Sequence, residues 1–555
     1  MAAWKRESVV SVFATNESAA IGVCDVTPVH ETPLWRYVKH EQNTLAWVSL
    51  IVVTFLLSRR LCSVLRLLIL GYRLPGPRAR AFDGRSQCLS KAQTPQMLQE
   101  LLARLHQEHG PLVKVWTGPA QLLVSVKDVD ILQHVFERAH DRVPVLRMAL
   151  QLLYGRRSLF TSNYSKASQS RMMVAKEING LVLRQAHISS IEVAEKMTQL
   201  GGLSKNGCHD LDCMTFSKLM AFAALGTSLY GDGYMIWPVA REFERVMMEV
   251  MEALPIWMRY SVPPLWNAKF VVFWKQCLRL RDLARELAAH GNQTSIQESE
   301  DRVEGLNILG KLLEEFVSVL FSRMGMGSST VAEPGAAGMM SHGSLNTAGV
   351  LCNVLAQLAR HPHIQTKVHN EISTISGFDK SLTETDVQKM IYLNATVLEA
   401  ARLLPTVPFL QRCSDEHDIA LLPGVVIPAG AILTAPIQLI QRDTVYWGDD
   451  AAIFNPDRFL KPRRIASGEL ASEQNQNIPH PCNFTKEPLQ LNPAFLVFGA
   501  GSRSCIGSSL AVKQISILVT VILKRFELKE NFDSSDAKAY ENMSRSPPRL
   551  TLSPR

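Results

Sequence analysis

A cysteine inside a glycine-rich loop is the residue whose surroundings point most directly to chemistry. Cys505 lies in the run FGAGSRSCIG, residues 498–507, directly before an apolar segment that is predicted to be a helix over 508–525. The glycines permit backbone conformations closed to other residues and let a large flat ligand approach the main chain. The helix start and the guanidinium of Arg503 are expected to favour the thiolate, the form of cysteine that binds metal ions. The loop therefore predicts a metal ligand at Cys505.

Two charged residues elsewhere have the spacing of a helical ion pair. Glu399 and Arg402 are three residues apart in a segment that is predicted to be helical, so their side chains share one face and can pair. The run NPDRF at 455–459 adds a further basic residue, Arg458. An ExxR spacing alone occurs in many solvated helices, so it becomes informative only together with other motifs.

Taken in chain order, these segments resemble the cytochrome P450 family. Residues 498–507 match the heme-binding pattern FxxGxRxCxG of that family at every fixed position, and residues 399–402 match its ExxR element. Residues 455–459 resemble its PERF element, with Asp457 in place of glutamate. The resemblance extends from Leu74 to the C-terminus. It implies the cytochrome P450 fold, mainly α with small β-sheets, in which the Glu and both Arg residues of these elements form a structural core behind the heme.

The same resemblance implies heme b as the cofactor and Cys505 as the axial ligand of its iron. A thiolate in this position donates electron density that favours O–O bond cleavage. Phe498 is implied to pack near the thiolate, and Arg503 to pair with a heme propionate, for which Arg412 is a second candidate. The implied cofactor-binding residues are Phe498, Gly501, Arg503, Gly507, Arg171 and Arg412, with Cys505 as the metal ligand.

Two positions depart from the family pattern. The family places Trp-x-x-x-Arg on an early helix to hold a propionate, whereas here Arg171 is present and Ala167 replaces the tryptophan. The second departure concerns the long helix that crosses the distal face of the heme. Its pattern AGx(D/E)TT aligns with residues 342–347, so Leu345 stands at the acid position and Asn346 at the following alcohol position.

The missing acid bears on proton delivery. In the family the acid–alcohol pair delivers protons to dioxygen, which leucine cannot do, and no Asp or Glu occurs between residues 334 and 360. Asn346, Thr347 and Ser344, assisted by ordered water, are the predicted catalytic substitutes. His342 is a further candidate, although we prefer to interpret it as a buried histidine.

Hydrophobic periodicity predicts the elements that must position these residues. Residues 112–126 alternate and turn at Gly118-Pro119, as a β-hairpin does. A helix over 333–360 is predicted to carry the distal residues, and a helix over 386–404 to carry the ExxR element. Further helices are predicted over 94–109, 128–140, 176–200, 210–230, 239–257, 267–290, 305–324 and 508–525, with a loop over 293–301.

Composition limits the remaining classes of function. The chain has 555 residues, of which 46% are hydrophobic and 20% charged, so disorder over most of its length is excluded. A mean hydropathy of +0.03 and a single strong apolar segment exclude a protein with many membrane spans. The net charge of +8 is spread thinly without a dense basic run, so nucleic acid is not an expected partner.

The apolar segment predicts attachment to a membrane. Residues 44–58 carry no charge, and apolar residues resume after Arg59 and Arg60 as far as Leu70. In the fifteen residues on either side, two Lys or Arg precede the segment and four follow it, so the positive-inside rule places the bulk of the chain in the cytosol. A buried helix of the globular domain is the alternative interpretation.

These observations predict three regions: a leader over 1–43, a membrane anchor and juxtamembrane segment over 44–70, and a cytochrome P450 catalytic domain over 74–555. The predicted location is the endoplasmic reticulum membrane, with a lumenal leader and the catalytic domain facing the cytosol. The leader carries an N-glycosylation sequon at Asn16. Because it is long, an organellar transit peptide is the competing interpretation.

The function implied by the resemblance is a heme-thiolate monooxygenase. It would insert one oxygen atom from O₂ into an apolar small molecule of the sterol, terpenoid or fatty-acid class, with electrons from NADPH supplied through a flavoprotein reductase. Two alternatives stay open. A heme-thiolate enzyme that rearranges a hydroperoxide fits the asparagine at 346, because such family members carry an asparagine on the distal helix. A heme-binding membrane protein with little turnover fits the missing acid and tryptophan.

Overall fold

Apolar residues at helical spacing make most of the chain α-helical, and the predicted fold class, mainly α with small sheets, is confirmed. The computed structural model describes residues 33–79, 86, 88–89, 95–154, 158–200, 209–257, 266–298, 333–377, 381–414, 417–422, 424–460, 492–531 and 549–555. The predicted helix over 305–324 lies outside the described residues.

The helices and strands follow one another along the whole chain. The first half contains α1 (Pro33–Arg73), α2 (Pro95–His109), β1 (Leu112–Gly118), β2 (Gln121–Val126), α3 (Val129–Arg138), α4 (Pro144–Tyr154), α5 (Tyr164–Glu177), α6 (Leu183–Leu200), β3 (His209–Asp212), α7 (Cys213–Tyr230), α8 (Pro238–Trp257) and α9 (Ala268–Glu298). The second half contains α10 (Glu333–Arg360), α11 (Pro362–Ser376), α12 (Glu384–Lys389), α13 (Ile391–Leu403), β4 (Phe409–Cys413), β5 (Ile419–Leu422), β6 (Val425–Ile427), β7 (Ile432–Pro436), α14 (Ile437–Gln441), α15 (Thr444–Trp447), α16 (Ser508–Arg525), β8 (Phe526–Glu530) and β9 (Arg549–Pro554).

The strands form three small sheets. The largest has the order β1-β2-β7-β4, in which β1 and β2 form the predicted hairpin. Strand β2 pairs with β7 in parallel, with Leu123 opposite Ile432, and the other pairings of this sheet are antiparallel. The second sheet has the order β3-β9-β8, and β5 pairs with β6. All of the sheets are short, so the packing of helices dominates the core.

Helix α10 is central because its buried residues belong to two apolar clusters. It contacts α4, α7, α9, α11, α13 and α16 directly. Three glycines let neighbouring side chains approach this helix. A Cβ atom at Gly338 would lie 2.3 Å from Phe160, and Cβ atoms at Gly343 and Gly349 would each lie 2.5 Å from a neighbouring side chain. The long helix predicted to carry the distal residues is therefore held in place along its whole length.

Three predicted boundaries differ from the structure for local reasons. The helix predicted from 210 begins at Cys213, because residues 209–212 pair with β9 and the Asp212 carboxylate then accepts hydrogen bonds from the first helical N–H groups. The helix predicted over 386–404 is broken at Met390, where ψ is 72°, into α12 and α13. The loop predicted over 293–301 is helical as far as Glu298.

The segment over 46–73 of α1 is long and apolar enough to cross a membrane, by length and composition. It has 28 residues, and its apolar 18-residue window has a mean hydropathy of 1.9 and no buried residue, whereas Leu67 and Gly71 near the end of the segment are buried. Helix α1 begins at Pro33, before the start predicted at residue 44. The chain divides into two compact units, residues 1–63 and residues 64–555. Both the leader boundary at 43 and the catalytic-domain boundary at 74 stay predictions.

A half-buried carboxyl group lies on α8, near the segment that connects α7 to α8. Gly226 leaves room for the ring of Tyr234, since a Cβ atom there would lie 2.2 Å from Tyr234 Cε1. The Tyr234 hydroxyl donates a hydrogen bond to Glu244 Oε1 at 3.1 Å. Burial raises the pKa of Glu244 to about 7. The folded protein therefore holds a proton on this carboxyl at pH values where an unfolded chain releases it.

We expect the stability of the wild type to fall as pH rises from about 4.5 to about 7, because the unfolded carboxyl ionises first. In Glu244→Gln this contribution is absent. Between pH 5.5 and pH 8 the wild type should therefore lose about 1 kcal/mol more than the variant, or about 1–2 °C in thermal midpoint, after allowance for partial exposure. Glu192→Gln, at a carboxylate that forms an exposed pair with Lys196, is the control. Identical pH profiles for wild type and Glu244→Gln would contradict the assignment.

Candidate active site

The cysteine loop turns tightly against the helix α3. Gly499 and Gly501 have φ of 74° and 66°, values that side-chain-bearing residues rarely adopt. A Cβ atom at Gly501 would lie 2.8 Å from the carbonyl oxygen of Phe136 in α3, so the loop can approach this helix only with glycine at 501. The Cys505 N–H donates to the Phe498 carbonyl at 2.7 Å and closes the turn. The backbone therefore holds the thiol in one fixed place.

The thiol of Cys505 is accessible but closely surrounded by protein. The side chain keeps accessible surface, yet the protein around the thiol raises its pKa through desolvation, as expected of a thiol that faces a cavity. The Gly507 N–H and the guanidinium of Arg171 lower the pKa but do not outweigh burial. This differs from the prediction, in which Arg503 favoured the thiolate. A bound metal cation would supply the missing stabilisation of the anion.

Four arginines form a cluster on the side of the thiol where Arg171 lies: Arg142, Arg171, Arg412 and Arg503. Arg171, on α5, donates to the Ser504 carbonyl beside the cysteine. Arg503 donates from Nε to the His140 carbonyl at 3.1 Å and from Nη2 to the Ser162 carbonyl at 2.8 Å. The guanidinium of Arg412, on β4, lies 5.4 Å from the ring centroid of Phe136. Chain segments that are far apart in sequence thus bring the predicted cofactor-binding arginines together.

The arginine cluster has no anionic partner among the described residues. Burial and repulsion from its neighbours lower the pKa of Arg412 to about 9 and that of Arg142 to about 10. The carboxylate of Asp141 acts on Arg503 but forms no ion pair with it. Arg142 Nε and Arg503 Nη1 are buried without a hydrogen-bond partner. This donor set fits a cofactor that carries two carboxylates and binds iron through a thiolate, as heme b does.

Arg142 was not predicted from the sequence. It lies between α3 and α4, where no motif marks it, and only the tertiary structure brings it to the other arginines. Its electrostatic influence on Arg412 is the largest after burial. Arg142 adds a propionate-binding candidate where the family's tryptophan is replaced by Ala167.

Glu399 and Arg402 form an ion pair in which neither side chain is exposed. Arg402 Nε donates to Oε2 at 2.6 Å and Nη2 donates to Oε1 at 2.7 Å. Its remaining Nη1 donates to the carbonyls of Gln441 and Ala451. Both charges are therefore compensated, as burial in a low-dielectric core requires.

Arg458 joins this pair from the 455–459 segment. Its Nε lies 3.4 Å from Glu399 Oε1, and its Nη1 donates to Asp450 at 2.8 Å and to the Trp447 carbonyl at 2.6 Å. The N–H of Asn455 also donates to Glu399, at 3.0 Å. The three predicted core residues thus lie in one connected network.

The distal helix α10 separates its three predicted catalytic residues. Asn346 is exposed, whereas Ser344 and Thr347 are 1% and 6% exposed. Since successive residues turn about 100° around a helix, Ser344 points about 200° away from Asn346. Leu345 packs against the apolar cluster of α8 and α9, and α10 carries no acid after Glu333. Their catalytic roles stay predictions.

Asn346 has a fixed amide orientation. Its Nδ2 donates to the His342 carbonyl at 2.8 Å, so its Oδ1 points away from the helix backbone. The hydroxyl of Thr406 lies 3.5 Å from that Oδ1, a long hydrogen bond. Thr406 approaches α10 closely because residue 349 is glycine. Asn346 therefore offers a hydrogen-bond acceptor on the distal side.

Comparison with known proteins agrees with this geometry. The family model described as Cytochrome P450 matches residues 84–553. "Cytochrome P450 734A5" of Oryza sativa subsp. japonica is 25% identical over 444 residues, which are 76% of this chain and 74% of that protein. "Probable cytochrome P450 313a5" of Drosophila melanogaster is 22% identical over 522 residues, 90% of this chain and 95% of that protein. "Probable cytochrome P450 313a2" of the same organism is 34% identical over 191 residues, but these are only 34% of each chain.

The chain therefore belongs to the cytochrome P450 family. Members of this family are heme-thiolate monooxygenases: they bind heme iron through a cysteine thiolate and act with O₂ on small molecules, usually with a redox partner. The protein is accordingly an oxidoreductase.

We predict that Arg402→Lys destabilises the fold by about 3–5 kcal/mol, because one ammonium cannot replace a bidentate guanidinium and leaves a buried carboxylate poorly compensated. The thermal midpoint and the yield of folded protein should both fall. Lys367→Gln is the control: its pair with Asp457 spans 4.0 Å with side chains 58% and 45% exposed, so the loss should stay below about 1 kcal/mol. Equal midpoints for the two variants would show that the buried pair does not stabilise the fold.

Proposed function

We propose that this protein inserts one oxygen atom from O₂ into an apolar small molecule of the sterol, terpenoid or fatty-acid class. The electrons come from NADPH through a flavoprotein reductase. The observation that carries the proposal is the placement of Cys505 beside four arginines that have no anionic partner among the described residues. A thiolate ligand and a cluster of cations beside it suit heme, and heme supplies the activation of dioxygen when it is bound.

The side chains divide the work of binding the cofactor. Cys505 would ligate the iron, and Arg142, Arg171, Arg412 and Arg503 would hold the propionates. Phe498 and the loop glycines would hold the thiol in position for the iron. Each propionate would offset the repulsion that lowers the pKa of these arginines. The reduced repulsion would then contribute to the affinity for the cofactor.

An apolar substrate is supported by the side chains between the distal helix and the cysteine loop. Half-buried apolar residues from both places, Leu345 and Ile506, pack against one cluster with Leu146 and Phe160. Ligand pockets are commonly lined in this way, with a few polar groups that orient the ligand. Asn346 is such a polar group, and with water it would relay protons where the family has an acid and an alcohol.

A second candidate function is the rearrangement of a hydroperoxide without O₂ or reductase. The exposed amide of Asn346, fixed by its hydrogen bond to His342, favours it. Against it, residues 498–507 form an uninterrupted loop, and such enzymes tend to have an expanded loop and no anchor. A weakly catalytic heme-binding protein is the third candidate, and it would show slow NADPH consumption with every substrate.

The purified protein, reduced and exposed to CO, should give the red-shifted Soret band of a thiolate-ligated heme. Cys505→Ser should lose that band, while Cys88→Ser, at a cysteine outside the cavity, should keep it. Turnover should then require NADPH and reductase. Consumption of a fatty-acid hydroperoxide alone would favour the second candidate, and an unaltered band in Cys505→Ser would overturn the heme-thiolate assignment.

We also propose that α1 anchors the protein in the endoplasmic reticulum membrane, with the catalytic domain facing the cytosol. The apolar segment over 46–73 and the arginines at 59 and 60 support this orientation. A membrane position would also give apolar substrates and a membrane-bound reductase access to the protein.

The orientation predicts glycosylation at Asn16, a residue outside the described ones. The full-length protein expressed in cells should show a glycosidase-sensitive mass shift that Asn16→Gln abolishes. Asn292→Gln is the matched control, because that sequon would face the cytosol and stay unmodified. A shift that survives Asn16→Gln and disappears in Asn292→Gln would reverse the orientation.

A further inference from the structure

His342 is a polar residue in apolar surroundings on the distal helix. Its ring stacks on Phe160, with centroids 4.7 Å apart and planes at 26°, and lies 5.6 Å from the ring of Tyr154. Gly338, one turn earlier, allows Phe160 to pack this closely, since a Cβ atom there would lie 2.3 Å from its ring. The imidazole is therefore held in a defined orientation between two aromatic side chains.

Neither ring nitrogen of His342 has a hydrogen-bond partner among the described residues. Nε2 is enclosed by protein, and the residue as a whole is half-buried. The nearby hydroxyl of Tyr154 is already paired with Ser341, at 2.5 Å. A rotation of the ring by 180° would place Nε2 where Cε1 lies and Nδ1 where Cδ2 lies, without moving the stack. An unpartnered buried polar group costs about 1–3 kcal/mol, which a suitable ligand atom would recover.

The imidazole is neutral. Burial, with a contribution from the guanidinium of Arg142, lowers the pKa of His342 to about 3. A neutral ring offers one N–H donor and one acceptor, and it provides no charge to balance a carboxylate or an ammonium group. It is matched by a neutral oxygen, as in an alcohol or a ketone.

His342 also shares a helix face with Asn346. The two residues are one turn apart, and the Asn346 amide donates to the His342 carbonyl at 2.8 Å. A molecule held beside Asn346 would therefore lie near the His342 ring. The neighbouring Leu345 and Phe160 are apolar, so the imidazole, together with the Asn346 amide, can orient the polar end of such a molecule.

We propose that His342 is a specificity-determining residue that hydrogen bonds a neutral hydroxyl or carbonyl oxygen of the substrate. This rests on the proposed function and narrows it: the preferred substrate is an apolar skeleton with one alcohol or ketone, rather than a free fatty acid or a hydrocarbon. The hydrogen bond would fix the orientation of the skeleton beside the distal helix.

The test compares ligand pairs that differ by one oxygen function: 5α-androstane with 5α-androstan-17-one, bornane with camphor, and naphthalene with 1-naphthol. Their affinities are measured from heme difference spectra of the full-length heme protein. The wild type should bind the oxygenated member of at least one pair more tightly than the hydrocarbon. His342→Phe should reduce that preference about fivefold or more, while its affinity for the hydrocarbon stays within about twofold of the wild-type value. Tyr154→Phe is the matched control, because it keeps the ring stack and both imidazole nitrogens, and it should discriminate as the wild type does.

The two proposals fail differently. If the wild type has no thiolate-ligated CO spectrum, the proposed function fails before any ligand is added. If the spectrum and NADPH-dependent turnover are present, but no pair is discriminated or His342→Phe discriminates as the wild type does, only the role of His342 is overturned. His342→Gln restores a hydrogen-bond donor and an acceptor, so it should recover part of the preference. If His342→Phe yields no folded heme protein, His342→Gln becomes the deciding variant. An absence of preference in His342→Gln would then overturn the role of His342.

Discussion

The buried ion pair between Glu399 and Arg402 is the interaction on which the rest of the structure depends. Two charges without solvent contact are tolerated only when every donor and acceptor is used, and here the carbonyls of residues 441 and 451 complete the set. The side chain of Gln441 extends the network, because it donates to the Arg402 carbonyl and accepts from the Leu496 N–H. Leu496 begins the approach to the cysteine loop. The position of Cys505 is thus tied through hydrogen bonds to a charged pair in the core.

The arginines around the cavity present the opposite situation. In the Glu399 network, positive and negative charges compensate each other, whereas the four guanidinium groups repel one another and two of their nitrogens have no partner. An isolated cluster of this kind opposes folding. Anything that binds it in the folded state stabilises the fold by mass action, so stability and cofactor binding are linked. The arginine cluster is complementary to an anionic ligand, and the thiol beside it, as a thiolate, is complementary to a metal cation.

Short-range patterns explain why much of the fold and site could be predicted. The turn at 499–507 and the ExxR spacing need only neighbouring residues, and the bounds of α10 follow from Pro334 at its start and Pro362 just after its end. Arg142 could not be found in this way, because its place is set by how distant segments pack. The break at Met390 was not predicted either. A capping box at Thr383 begins the separate short helix α12, which ends just before Met390. The separation of Ser344 from Asn346 follows from helix geometry once both are placed on one helix.

The parallel pairing of β2 with β7 has a consequence for how the chain reaches this structure. Leu123 and Ile432 are neighbours in the sheet but about 300 residues apart in the chain. At a synthesis rate of about 5–20 residues per second, the hairpin waits roughly 15–60 s for its partner strand to emerge from the ribosome. During that time one edge of β2 has open backbone hydrogen-bonding groups. Production of this protein in cells should therefore depend on chaperones that shield a nascent strand. Lower growth temperatures should increase the yield of soluble protein.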